Sequence, residues 1–165
     1  MKVFAHRCGV HDAEREAACQ QVARLIAASG VRRVRMGWCD THGQLRGKTL
    51  MPHAAVKALR EGVGMVGTMM LKDPSDRTAW KVFEAGGTEG LTGFAGAASL
   101  MLLPDPASFT VLPWSESTGW LRCQPWFQDA TPVSIDSRRV LQQALAKLGI
   151  TGFGLKTGLE VEFHI

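Results

Sequence analysis

The residues with the clearest chemical pattern lie at the end of the sequence, where Gly158-Leu-Glu-Val-Glu-Phe-His-Ile165 alternates strictly between apolar and polar side chains. In a strand, residues two apart project from one face, about 6.5 to 7 Å from each other. Leu159, Val161, Phe163 and Ile165 would share one face, and Glu160, Glu162 and His164 the other. Two carboxylates side by side repel unless a cation lies between or beside them, and hard oxygen donors of this kind suit Mg2+ or Mn2+. An exposed edge strand with a polar outer face accounts for the same spacing, so spacing alone leaves both readings open.

Two other patterns invite chemistry. His6, Cys8 and His11 could ligate a metal, but no second pair of ligands follows at a zinc-type distance, and the segment reads as a loose N-terminal arm. Gly62-x-Gly64-x-x-Gly67 matches the dinucleotide fingerprint, with Glu84 about 20 residues beyond it. That fingerprint needs a strand before it and a helix after it, whereas the pattern before Gly62 is helical. A nucleotide-binding Rossmann unit is therefore only a rival reading.

The composition sets the frame for these residues. A chain of 165 residues, 45% hydrophobic and 21% charged, with five Trp and seven Phe, has the makings of a packed core and excludes disorder. A net charge of +4, thinly spread, gives no reason to expect a nucleic-acid partner. No apolar run approaches the roughly 20 residues that cross a bilayer, so no membrane partner is expected. Four widely spaced cysteines without a CxxC pair, and no targeting pattern at the start, point to reduced thiols and a cytoplasmic location.

The elements that must position these groups follow from periodicity. Ala18, Val22, Leu25 and Ile26 recur on one helical face before Gly30. Val34, Met36 and Trp38 alternate as a strand, and the turn Asp40-Thr-His-Gly43 leads to a second strand over 45–51. Arg33, Arg35, Arg46 and Lys48 would form a basic patch on the polar face of this hairpin. Pro52 opens a short helix that ends at Gly62. Short strands are expected over 65–71 and 80–83 within a long irregular stretch, then an antiparallel meander over 100–103, 109–112 and 120–126. After the linker Gln128-Asp-Ala-Thr-Pro132, Asp136 caps a helix whose apolar face holds Val140, Leu141, Ala144, Leu145 and Leu148.

In order and spacing, several stretches resemble the glutamine synthetase family, from about Arg32 onward. They are Trp38-Cys-Asp-Thr-His-Gly-Gln-Leu-Arg-Gly-Lys48, Gly62-Val-Gly-Met-Val-Gly-Thr68, Leu100-Met-Leu-Leu-Pro-Asp-Pro106, Val111-Leu-Pro-Trp114, Asp136-Ser-Arg-Arg139 and Gly158-Leu-Glu-Val-Glu-Phe163. The resemblance implies an α+β fold: an N-terminal arm and helix over 1–30, a β-grasp domain over 31–129, and over 130–165 a truncated start of the catalytic domain, its first helix and strand. It also implies an ATP-dependent ligase that phosphorylates the glutamate γ-carboxylate and joins ammonia or an organic amine to the acyl phosphate. Glu160 and Glu162 would ligate Mg2+ or Mn2+, ATP would be the co-substrate, and the complete protein would be a homo-oligomer. The 165 residues by themselves would be inactive. The competing reading is a subunit-interaction module without chemistry.

Two departures from the family pattern bear on the amine. Where ammonia-using members read Gly-Phe-Asp-Gly-Ser-Ser, with an Asp that helps bind ammonium in the neighbouring subunit's site, this sequence reads Gly64-Met-Val-Gly-Thr-Met69. Valine at position 66 can neither attract a cation nor accept its protons. The family's Ser-Asp before the Leu-Pro-Asp strand is here Ala98-Ser99, which removes a second acid. Both changes favour an amine other than ammonia, as in a γ-glutamylamide or γ-glutamylpolyamine synthetase, unless Asp73, Asp76, Glu84 or Glu89 of the long loop fills the vacated place.

Overall fold

The computed structural model describes residues 2–96 and 98–165. Helices α1 (Phe4–Arg7) and α2 (Ala13–Ala28) precede a hairpin of β1 (Arg33–Cys39) and β2 (Leu45–Leu50), followed by α3 (Pro52–Glu61) and β3 (Val63–Val66). After a long loop come β4 (Ser99–Pro104), β5 (Thr110–Val111), β6 (Thr118–Phe127) and α4 (Ser137–Ile150). The architecture is mixed α/β, with strand order β2-β1-β6-β4-β3 and β5 paired to β6 off that path. The central β1–β6 pair is parallel and the other pairs are antiparallel.

Local chemistry sets the helix boundaries. The Asp12 carboxylate accepts the Arg15 amide at 2.7 Å and caps α2. Proline opens α3, and Gly62, at φ +66°, closes it in a conformation that side-chain-bearing residues avoid. One core joins Cys19, Val22 and Ile26 of α2, Ala55 and Leu59 of α3, and Val34, Met36, Leu100, Leu102 and Leu121 of the sheet. Between the two helices, Arg15 Nη2 donates to the carbonyls of Leu59 and Pro104 at 3.0 and 2.7 Å.

The sheet is curled. β2 and β3 are at opposite ends of the strand order, yet Lys48 of β2 donates from Nζ to the carbonyl of Gly64 in β3. Strand register explains why, and it corrects the expected basic patch. Arg46 lies opposite Trp38, and Lys48 opposite Met36, so both cations share the face of the buried core residues rather than that of Arg33 and Arg35. There they find partners instead of solvent.

Other expectations are corrected too. The N-terminal segment is not a loose arm: α1 buries Phe4 and Ala5 against Leu103 and Trp126. The strand expected over 65–71 spans only Val63–Val66 and gives way to a 3-10 turn, Gly67–Met70, and 80–83 is irregular. The meander is replaced by an interrupted strand, because β4 and β5 run end to end along one side of β6. The Pro106–Ser108 turn separates them, and the Asp105 amide bonds to the Arg122 carbonyl at 2.8 Å. Finally, residues 153–165, including the expected terminal strand, form neither helix nor strand and are exposed throughout. Alternation prepares a segment for a sheet, but its amides and carbonyls need a neighbouring strand, and none lies beside them among the described residues.

Candidate functional site

The two positions at which the sequence departs from the family pattern it resembles come together in space. Val66 ends β3, Ser99 begins β4, and the antiparallel register sets them directly opposite each other. Side chains so paired lie on one face, with Cβ atoms about 5 Å apart. Val66 is half exposed and Ser99 exposed. The Gly67 amide donates to the Ala98 carbonyl at 2.9 Å just beyond the pair, and no Cβ could be added at Gly67 without meeting that carbonyl. Lys48, held on the Gly64 carbonyl, adds a positive charge two residues from Val66. The result is a strand end with a valine, a hydroxyl and a nearby ammonium, a poor place to gather a cation.

The loop acids that could offset the missing carboxylates are mostly engaged elsewhere. Asp73 accepts the amides of Ser75 and Arg77 at 2.9 Å, bonds that hold its carboxyl below the usual range. Asp76 binds Arg46 at 2.7 Å and Glu84 binds Lys81 at 3.1 Å. Glu89 is exposed.

A buried polar network fixes the hairpin that carries Lys48. Asp40 is fully buried: Oδ1 accepts the amides of His42 and Gln44 at 2.9 and 3.0 Å, and Oδ2 accepts Arg46 Nε at 2.9 Å. Burial pushes the Asp40 pKa up, but Arg46 and the two amides outweigh it, and the net direction is down. Sequence reading took these residues as turn formers and a surface cation. The only signal for the network is an acid at the turn's start with an arginine six residues later, a spacing too common to be decisive.

The predicted metal ligands Glu160 and Glu162 lie in the exposed terminal segment, and among the described residues no cluster of three or more His, Cys, Asp or Glu is poised for a metal. Two carboxylates have the right donor chemistry for Mg2+ or Mn2+ but too few atoms to complete an octahedral shell. The N-terminal trio is no stronger. The rings of His6 and His11 meet at a 42° tilt with centroids 4.0 Å apart, and burial pushes the Cys8 thiol up to about 11, away from the thiolate a metal needs. The glycine fingerprint is not a phosphate loop: α3 precedes it, β3 runs through it antiparallel to β4, and only a 3-10 turn follows. Gly62 is a helix cap and Gly67 a close-packing site, which overturns the Rossmann reading.

No protein-family model matches the sequence. Individual relatives do. The chain is 31% identical to γ-glutamylanilide synthase of Acinetobacter over 157 residues, which is 93% of this chain and 31% of that protein. It is 28% identical to the glutamine synthetase of Mycobacterium bovis over 151 residues, 87% of this chain and 29% of the relative. A solved GmaS–ADP complex superposes with a TM-score of 0.59 at 23% identity, covering 79% of this chain and 26% of that one, a likeness of fold. The chain belongs to the glutamine synthetase family. It spans about a third of the length of the relatives it matches.

Proposed function

We propose that this chain is part of a glutamine synthetase-type ligase that joins an organic amine, in preference to ammonia, to the γ-carboxylate of glutamate through an acyl phosphate made from ATP. The observation that carries the reading is the pairing of Val66 with Ser99: two positions that carry acids in the ammonia-using family pattern are cross-strand neighbours, and neither carries a negative charge to hold ammonium. The similarity to γ-glutamylanilide synthase supports it. The parallel β1–β6 pair with helices against one face supports a β-grasp unit over 31–129, preceded by the segment 1–30 and followed by the beginning of a catalytic domain over 130–165.

In the complete protein, a cytoplasmic homo-oligomer, Glu160 and Glu162 would hold Mg2+ or Mn2+, which neutralises phosphate oxygens during phosphoryl transfer. The two carboxylates do not form that site alone, so the 165 residues by themselves are inactive. Within this chain, Lys48 and the Asp40–Arg46 network hold the β3–β4 strand end in place, and Val66 and Ser99 present an uncharged wall to the amine. The alternative of a non-catalytic interaction module draws on α4, whose Val140, Leu141 and Leu145 are exposed and need a covering partner.

A chimaera separates the two readings. With the remaining two-thirds of Acinetobacter γ-glutamylanilide synthase joined after Ile165, phosphate release dependent on both glutamate and an amine is expected. A folded, ATP-binding chimaera that releases none with any amine or with ammonia would favour the module.

A further inference from the structure

Beside Ser99 the same strand end opens into a cleft of about 660 Å3, within the size range of small-molecule sites. Its position follows from register. Val66 pairs with Ser99, and Leu100, the next residue of β4, pairs with Phe127, so the ends of β3, β4 and β6 lie side by side. Ala98 and Ser99 line it from one side, Phe127 forms an aromatic wall, and Thr131, Pro132 and Ser134 close it from the turn after β6.

The aromatic wall is built rather than incidental. Phe94, almost fully buried, meets the Phe127 ring edge-on with centroids 5.3 Å apart. On the same ring rests the main chain of Gly93, at φ +89°, where an added Cβ would come within 2.6 Å of Phe127 Cζ. These contacts fix the ring while leaving it half-buried and part of the cleft lining.

Charge narrows the ligand class. Asp129, the one acid among the lining residues, accepts the amide and hydroxyl of Thr131 at 2.8 and 2.7 Å, which holds its carboxyl below the usual range. Arg7 donates to the adjacent Gln128 carbonyl at 2.7 Å and brings a guanidinium to the same rim. An alkylamine or polyamine, protonated near neutral pH, would meet the Arg7 guanidinium on the same rim as the single lining carboxylate, Asp129. An aryl amine is neutral at that pH and carries a flat ring that stacks on phenylalanine.

We propose that this cleft receives the aryl substituent of the amine substrate, with the amino nitrogen directed toward the Val66–Ser99 end. The proposal deepens the ligase reading and rests on it. Binding and catalysis test the two separately. 4-Fluoroaniline titrated into the 165-residue chain should give saturable 19F shifts, with 1H–15N shifts concentrated at Gly93, Ser99 and Thr131. Ser134→Phe, from an exposed rim position, should fill the cleft and weaken binding at least tenfold while the rest of the amide spectrum stays in place. Spermidine and ammonium should leave those amides unmoved.

No saturable shift up to the solubility limit, shifts centred instead on the groove of Arg35, Trp114 and Trp120, an unaffected Ser134→Phe variant, or spermidine binding in the cleft would each overturn the proposal. In the chimaera, aniline ligation undiminished by Ser134→Phe would remove the cleft and keep the ligase reading. Aniline bound in the cleft, with no amine ligated, would remove the ligase reading and the substrate role together while keeping the site.

Discussion

Asp40→Asn is the substitution whose cost can be worked most fully from the geometry. The new amide would keep its carbonyl oxygen toward the His42 and Gln44 amides, so the turn retains both hydrogen bonds. Its NH2 would then face Arg46 Nε, donor against donor, where a carboxylate oxygen now accepts at 2.9 Å. Losing a buried hydrogen bond to a charged group costs about 1.5–3 kcal/mol. Arg46 keeps Asp76 at 2.7 Å and is partly solvated, so the lower half of that range applies, about 2 kcal/mol. For a domain of this size that corresponds to a fall of about 4–8 °C in Tm. Urea unfolding followed by tryptophan fluorescence, with Asp76→Asn as control, measures it. Asp76 is two-thirds exposed, and its loss should cost less than about 0.5 kcal/mol. Equal costs for the two variants, or a negligible cost for Asp40→Asn, would refute the claim that this buried carboxylate organises the hairpin.

Three further outcomes follow from the same structure. Glu16 accepts Arg60 Nε at 2.8 Å, and hydrogen bonding to that guanidinium, with help from Gln20, lowers its pKa from 4.5 to about 2. A lowered folded-state pKa gives stability that is present above pH 4.5 and is lost as pH falls toward 2. Glu16→Gln should therefore flatten the acid limb of the stability curve and, because the pair is partly exposed, cost only about 0.5–1 kcal/mol at pH 7. Gly67→Ala should destabilise by about 1–3 kcal/mol, read by urea denaturation, since its methyl would be driven against the Ala98 carbonyl. The 165-residue chain mixed with ATP, Mg2+, glutamate and aniline should release no phosphate above background, and Glu160→Gln should not alter that result. In the chimaera the same substitution should abolish turnover.

Much of the fold was legible because its elements carry local signals. Pro52, Gly62 and Asp136 mark helix ends whose chemistry acts within a few residues, and the observed helices obey them. Register was not legible. Alternation marked 33–39 as a strand and the turn after it led to a second over 45–51, but neither told that Arg46 would lie opposite Trp38, and this decides whether a cation faces solvent or a partner. Nor could it tell that β5 would continue the line of β4 instead of adding a strand, since that depends on which side of β6 was free. Position 66 stood out only against the pattern of the family the sequence resembles. Its proximity to Ser99, and the Lys48 contact across the closed edge, come from tertiary pairing with no sequence period. The terminal alternation shows the opposite limit: a strong strand pattern stays irregular where no strand lies beside it.

The central claim concerns the amine, and the chimaera with the Acinetobacter remainder tests it through the ratio of kcat/KM for aniline to that for ammonia. With Val66 and Ser99 in place the ratio should exceed one. Val66→Asp, which returns a carboxylate to the end of β3 opposite Ser99, should move it at least about tenfold toward ammonia, because it supplies a negative charge where Val66 and Ser99 have none. A wild-type chimaera that prefers ammonia to every amine, or a ratio indifferent to Val66→Asp, would contradict the account.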